Sequence, residues 1–479
     1  ISNNRFSNCT KTDFTKIIPI TISFNIIFIY ISFFICSENS TCNLPKETFL
    51  YRDVSENWLL DFSDRRNYPF NSLKIKNPND FIGYQPTFET KINDYINAIG
   101  VKFPIAEGWN ADASVTYGSN DVDVTVNNSV NRQYLADHGT SPRSFNPGGY
   151  AFTNVVGNFD VNSQLSDALG LALGMEFKQE SFKAIEGNPL SYYGAGSDSF
   201  AGIKPDEAGK WSRNNLALYT QLDYVVNEKL LLGVAGRYED FTDAGSNFSW
   251  KANGRYKLGS KGALRASYST GFRAPTLHQI YTQKAQYSFV PGQGIQVGGL
   301  INNVSTQAKL LGINELDAET SNNFTIGLGG KLTNTLSFTV DYYNIAVQDR
   351  IVLGSEIGPT GDAANPLDIL LTQNNLSDVS YFSNALDTRT SGLDVVISKK
   401  DIKLGSGMLD LNLSGNYTIS NEREGDVKDI ALVANAGQSV VNATQEALFF
   451  TSRPETKWIL GANYEVGKFE WSFNNTYFG

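Results

Sequence analysis

Thiols and imidazoles are scarce in this chain. Three cysteines and two histidines occur in 479 residues. Cys9, Cys36 and Cys42 all lie near the start, so beyond residue 42 no disulfide or thiolate metal site is available. Cys36 and Cys42 are left open as a pair or as free thiols. His138 and His278 are far apart and match no H-x-x-H or H-E-x-x-H spacing, which argues against a zinc hydrolase. No Walker loop and no G-x-S-x-G occurs. Gly292, Gly294, Gly298 and Gly299 miss the dinucleotide spacing and read as a flexible loop. Asp121 and Asp123 alternate along an extended run and read as a wet face, not a calcium loop. No catalytic residue, metal or cofactor is therefore expected. Charged residues make up 18% of the chain, below the roughly one quarter usual in soluble domains. Net charge is −10, so nucleic acid is not an expected partner, because phosphate binding needs a basic face.

Residues 1–82 contain no glycine and no alanine; Gly83 and Ala98 are the first of each. The chain opens on Ile1, and Ile17–Cys36 runs without a charge behind Arg5, Lys11 and Lys16. That run is long enough to cross a bilayer as a helix. Three readings stay open for it: a stretch foreign to the rest, an unusual signal peptide lacking a small-residue cleavage site, and one apolar helix. Residues 1–82 are expected to be an atypical segment outside the fold that begins near residue 83.

From there the signal has period two. Leu169, Leu171, Leu173, Met175 and Phe177 alternate with Gly170, Ala172, Gly174, Glu176 and Lys178. Leu409, Leu411, Leu413, Gly415, Tyr417 and Ile419 alternate with Asp410, Asn412, Ser414 and Asn416. Such alternation marks strands with two chemically different sides. Fourteen strands are expected, over about 94–103, 109–130, 153–165, 169–185, 213–226, 230–243, 248–258, 263–270, 321–332, 335–350, 389–400, 408–420, 455–466 and 468–479. The charges, among them Lys102, Asp112, Asp160, Glu176, Arg237, Arg265 and Asp341, all fall on one side. The other side carries Leu, Val and rings such as Trp109, Tyr224, Tyr256, Trp458 and Trp471.

An uncharged strand face meets either a protein core or lipid. Connection lengths favour lipid. Short links near 104–108, 166–168, 227–229, 259–262, 333–334, 401–407 and Gly467 alternate with long ones at 131–152, 186–212, 271–320, 351–388 and 421–454; only 244–247 breaks the rule. Short turns at one end and long loops at the other are the habit of outer-membrane barrels, and loops of such length are rare in compact soluble domains.

Four blocks, in order, resemble the TonB-dependent outer-membrane receptor family. They are Gly236–Asp243 (GRYEDFTD), Ala266–Tyr281 (ASYSTGFRAPTLHQIY), Glu315–Gly329 (ELDAETSNNFTIGLG) and Asp341–Leu353 (DYYNIAVQDRIVL). Their motif residues include Gly271, Phe272, Arg273, Ala274, Pro275 and Glu319. Gly271 and Pro275 end ladder pairing, and Arg273 can fork to a carboxylate, Glu319 being the candidate as the chain re-enters. The resemblance covers about 83–479. It implies an all-β, transmembrane antiparallel barrel of roughly twenty-two strands with a plugged lumen. Fourteen strands without a recognisable plug then read as a partial barrel, a fragment lacking plug and TonB box and so not expected to transport by itself. The resemblance further implies a bacterial outer-membrane receptor, a TonB-type energising partner, contact with membrane lipid, and uptake of a small ligand: an iron chelate, a corrinoid or an oligosaccharide. Candidate ligand-facing loop residues are Tyr192, Tyr193, Trp211, Arg273, Tyr281, Tyr287 and Phe289, since rings offer stacking surface and arginine bidentate bonds. Two alternatives remain: a passive fourteen-strand porin or fatty-acid channel, which requires the last strand to seal onto the first, and a secreted β-rich adhesin, which requires a second sheet over the apolar face.

Overall fold

The structure is a computed structural model that describes residues 20–24, 27–36, 86–290, 294–373 and 376–479. In chain order the strands are β1 (Ile20–Phe24), β2 (Ile27–Cys36), β3 (Thr87–Ala106), β4 (Trp109–Asn127), β5 (Ser144–Phe145), β6 (Gly149–Ser166), β7 (Leu169–Ile185), β8 (Gly209–Val225), β9 (Leu230–Phe241), β10 (Gly245–Leu258), β11 (Gly262–Arg273), β12 (Lys284–Val290), β13 (Gly294–Leu300), β14 (Glu319–Lys331), β15 (Leu336–Leu353), β16 (Asp378–Ser380), β17 (Phe382–Leu404), β18 (Gly407–Glu424), β19 (Thr456–Val466) and β20 (Phe469–Phe478). Apart from the short β5, β12, β13 and β16, each pairs antiparallel with the next, forming one meander.

All fourteen strands expected from alternation are present. Several run further than expected: β3 starts at Thr87, β15 reaches Leu353 and β17 starts at Phe382. Crossing a bilayer takes only about 9–11 tilted residues, so strands of 17 to 23 residues such as β7 and β17 project beyond it. The described residues of the uncharged run, 20–24 and 27–36, are extended, not helical. Residues 28–36 of β2 lie alongside Asp94–Lys102 of β3. Its Ile, Phe, Tyr and Thr content suits a pleated surface better than a helix, and β3 supplies a ladder to pair with. The remainder of 1–82 lies outside the described residues.

The outward face is apolar and uncovered. Leu218 and Val234 are 54% and 52% exposed, and Leu173, Phe177, Tyr238 and Tyr256 are exposed with them. No second sheet covers this face among the described residues, as the adhesin reading requires. Nor does β20 pair with any described strand but β19, as the sealed porin requires. Two rows of rings flank the apolar zone. Tyr224, Tyr256 and the opposed Tyr464 and Trp471 lie near the short turns. Tyr117, Tyr238 and Tyr417 lie nearer the loops, as does Trp250, whose ring centroid is 5.5 Å from that of Tyr268. Gly415 faces Trp458 across the ladder, and a Cβ there would run into the indole; glycine lets the large ring lie flat on the backbone.

The opposite face holds the charges in pairs. Lys102 meets Asp112 at 3.2 Å. Arg237 binds Glu176 at 2.9 Å and Glu239 at 2.7 Å. Arg265 forks onto both oxygens of Asp341 at 2.7 and 2.5 Å. Tyr219 donates to Asp160. Lipid cannot solvate a charge, at a cost of roughly 2–4 kcal/mol at mid-bilayer, which explains why these groups share one side.

The connections also sort as expected. Short turns join β3 to β4, β6 to β7, β8 to β9, β10 to β11, β14 to β15, β17 to β18 and β19 to β20. At the other end only the link between β9 and β10 is tight. The long loops there are structured. Helices form at Arg132–His138, Pro189–Tyr192, Leu277–Tyr281, Thr306–Leu311, Pro366–Gln373, Ala431–Asn435 and Ala443–Phe450. The loops 274–318, 354–381 and 425–455 close over a common core that includes Leu311, Ile357, Leu371, Tyr381, Leu386, Val433 and Val440.

Candidate functional site at the loop end

Three of the sequence blocks meet at the rim. Arg273 ends β11 and lies opposite Glu319, the first residue of β14. Its guanidinium grips both carboxylate oxygens, with Nε to Oε2 at 2.7 Å. Oε1 of Glu319 also accepts the backbone N–H of Ile351 on β15 at 2.7 Å. One carboxylate thus ties together strands that the chain separates by a long loop and a hairpin. Two strand positions before Ile351, Asp349 sits at φ +54° where the β15–β17 register shifts. Its carboxylate receives Lys428 Nζ at 2.7 Å, and Lys428 reaches Asp387 at the same distance. The bulge re-aims the chain and pins loop 425–455 to the wall; the two carboxylates hold the Lys428 ammonium above its ordinary pKa against the opposing cost of burial.

The fourth block joins through Arg213 on β8. This buried guanidinium binds Glu180 at 2.6 Å, approaches Asp243 at 3.7 Å, and donates to the carbonyl of Pro275 at 2.5 Å. The segment after Arg273 is locked further by a capping box, in which Thr276 and Gln279 cap the helix Leu277–Tyr281 reciprocally. Ala274 and Leu277 are buried beneath it. A Cβ on Gly271 would meet the Ser321 hydroxyl, which would have to turn away to admit it.

That capped helix presents rings to the wall. Tyr281 stacks on Trp211 at 4.9 Å with the planes 8° apart. Trp211 continues onto Phe182 at 6.0 Å and Phe182 onto Tyr150 at 5.9 Å, each within 20° of parallel. His278 sets its edge against Phe182 at 5.4 Å, and also approaches Tyr150 and Phe382. Burial raises the Tyr281 phenol above its ordinary pKa, with the Asp243 charge adding to it. A column of four near-parallel rings on the inward side, at the mouth of a polar wall, offers planar stacking surface.

Of the expected ligand-facing residues, Trp211 and Tyr281 are brought together, with Arg273 at the end of β11, the strand that leads into the Tyr281 helix. Tyr192 and Tyr193 are not in the column. Tyr192 donates to Glu186 at 2.7 Å and Tyr193 to Asp137 at 3.0 Å; these bonds raise both phenols. They belong to a second clamp, where Asn131 donates to the carbonyls of Leu190 and Tyr193 and Arg132 pairs with Asp198 at 2.7 Å. Tyr287 and Phe289 lie on β12 opposite Val297 and Ile295, and their side chains lie outside the described part. Arg273 is committed to Glu319, so its role in the fold is a strut. Sequence reasoning missed Tyr150, Phe182, His278 and Phe382. The available signal was parity: Tyr150 and Phe182 are rings on the side of their strands that otherwise carries charge.

At the start of β12, Lys284 places its ammonium 2.7 Å over the ring of Phe200, and burial pushes its pKa down to about 7.

A one-way meander, apolar outside, ion-paired inside, with a structured loop end, defines a membrane β-barrel wall. The family described as TonB dependent receptor-like, beta-barrel matches residues 43–479, and the chain belongs to that family. It is 28% identical over 190 residues to the ferric enterobactin receptor PirA of Pseudomonas aeruginosa, covering 38% of this chain and 24% of that protein. It is 25% identical over 190 residues to the ferrienterobactin receptor of Escherichia coli, with the same coverage. The fold resembles the crystal structure of the siderophore receptor PirA from Acinetobacter baumannii with a TM-score of 0.56 and 14% identity, covering 96% of this chain and 57% of that one. The chain thus spans only part of the length of these relatives.

Proposed function

We propose that this chain is the barrel wall and loop platform of a bacterial outer-membrane receptor that takes up a ferric siderophore, energised by a TonB-type partner. It acts by capture and passage and carries out no chemistry on the ligand. Residues from about 83 onward form most of the receptor barrel, and β1 and β2 of the preceding segment extend its sheet by pairing onto β3. The observation that carries the reading is the ring column Tyr150–Phe182–Trp211–Tyr281, set inward at the loop end of a wall whose outer face is apolar. The names of the relatives favour an iron chelate over a corrinoid or an oligosaccharide. Trp211 and Tyr281 are the first choices for ligand contact; Tyr192, Tyr193, Tyr287 and Phe289 are secondary, and Arg273 supports them from the rim.

The test is titration of the full chain in detergent with a panel of ferric siderophores, followed by intrinsic fluorescence. Trp211→Ala should weaken binding by about ten-fold, the worth of one good stacking contact. If no ferric siderophore binds, or if Trp211→Ala and Tyr281→Ala bind as tightly as the parent, the reading fails.

A further inference from the structure

An open groove of about 540 Å³ runs across the outer face of β3, β4, β6 and β7. Its walls are Ile99, Val115, Phe159, Met175 and Phe177, and its floor is Gly157. The depression has a simple cause. Gly157 stands in register between Val115 and Phe177 and contributes no side chain to a face otherwise covered by large ones. A Cβ added there would find its nearest neighbour 4.0 Å away.

Followed toward the loops, the same face changes character in steps. Above the row Val115–Gly157–Phe177 come Tyr117, Val155, Gln179 and Asn214, then Ser119, Thr153, Ser181 and Ser212, and finally Asp121, Ala151, Lys183 and Lys210. Lys183 and Lys210 are direct cross-strand partners, both exposed, and neither has an acidic partner within ion-pair distance among the described residues. Like charges opposed on a ladder repel, so the pair is a cationic spot waiting for an anion. The nearest carboxylate in that row, Asp121, is two strands from Lys183 with Ala151 between. Hydroxyls of Ser181 and Ser212 stand one row below the ammonium groups.

The spacing fits a lipid. Lys183 is six residues beyond Phe177, roughly 20 Å along the strand and about 15 Å once barrel tilt is allowed for. Those ammonium groups therefore stand above the ring row that includes Tyr117, at headgroup depth, while the groove lies in the loop-side part of the apolar zone just below that row. We infer that this strip is a binding site for a phosphorylated acyl lipid of the outer leaflet: one chain lies in the groove over Gly157 and the phosphate rests on Lys183 and Lys210. The occupant follows from continuity with the apolar belt below and from charge above. The inference rests on the outer face being lipid-facing.

The test uses the full chain reconstituted in phosphatidylcholine vesicles with or without lipid A, then exchanged into detergent, with bound lipid counted by native mass spectrometry. The parent should retain lipid A in preference to phosphatidylcholine. The double change Lys183→Glu and Lys210→Glu should lower that retention by roughly thirty-fold, the share of two lysines at an anionic surface. Gly157→Phe, which fills the groove without a backbone clash, should also release the lipid while heat-modifiable gel mobility stays that of the parent. Retention equal to the parent in both variants overturns the site. A parent chain that inserts but shows no preference for lipid A overturns it too, leaving the barrel reading intact. A chain that never enters vesicles would instead defeat the lipid-facing reading itself.

Discussion

In the wall, Leu218 and Val234 turn outward while Arg237 and Glu176 turn inward. In the loops above it, Leu371, Tyr381 and Val433 turn inward while Glu356 and Asp362 turn outward. The two regions draw on the same residue types and arrange them in opposite senses, because each is sorted by its own surroundings. Lipid rewards an apolar exterior and forbids an unpaired charge there. Water rewards a closed apolar core. The boundary between the regimes lies where the strands outrun the bilayer, and there the charged struts gather: Arg273 with Glu319, Arg213 with Glu180, and Lys428 between Asp349 and Asp387. A polar strut holds at such a border because both its ends are satisfied.

The sharpest way to separate the regions is to empty the loop core. Leu371→Ala should cost about 2–5 kcal/mol, and hydrogen exchange should show loops 274–318, 354–381 and 425–455 losing protection together while the β6–β8 ladder keeps its own. If only 354–381 loosens, the common core is not cooperative. Next comes the outer face. Leu218→Arg should destabilise the barrel by about 2–4 kcal/mol when refolded into bilayers, with little effect on loop exchange. An equal cost for Leu218→Ala would mean that packing, not the surrounding medium, sets the pattern.

The border itself should respond less. Glu319→Gln leaves Arg273 without its fork and weakens the acceptor for Ile351 N–H, a loss of about 1–2 kcal/mol, read as faster exchange at Ile351 and earlier proteolysis of 274–318. The smallest effect is a pH dependence confined to the loop. Asp368 accepts the backbone N–H groups of Thr360 at 2.7 Å and Gly361 at 2.9 Å, which hold its carboxyl below the usual range. A carboxyl with a depressed folded pKa adds stability that is fully present above its ordinary value and is lost as pH falls through the folded one. Exchange at Thr360 and Gly361 should therefore rise on acidification in the parent. In Asp368→Asn it should be raised already at neutral pH and vary little below it.

The wall was legible because a period of two, sustained over many residues, belongs to an extended strand and to no helix. All fourteen strands declared themselves that way, and ends were missed where the outer face turned polar, as at Thr87–Asn93, and beyond the bulge at Asp349, where β15 continues to Leu353. The loops were not legible. Their helices are four to eight residues long, too short for a 3.6-residue period to repeat, and their core joins positions as distant as Leu311 and Val440. The pairing of Arg273 with Glu319 was readable from residue chemistry at the two ends of one loop. The second bond of Glu319, to Ile351, was not, since backbone donors leave no mark in a sequence. The same limit hid the ring column. Trp211 and Tyr281 stood out as loop-end aromatics, but Phe182 counted as an ordinary strand residue and Tyr150 as part of the connection 131–152.

The tie among Arg273, Glu319 and Ile351 has a bearing on how this molecule can change. It fixes both feet of the strap between β11 and β14 to the rim, so the strap's contents no longer determine where its ends sit. Lengthening such an anchored strap costs little, roughly 0.6 kcal/mol for each doubling. The exposed surface of that strap can then be rewritten while the register of the wall beneath stays as it was.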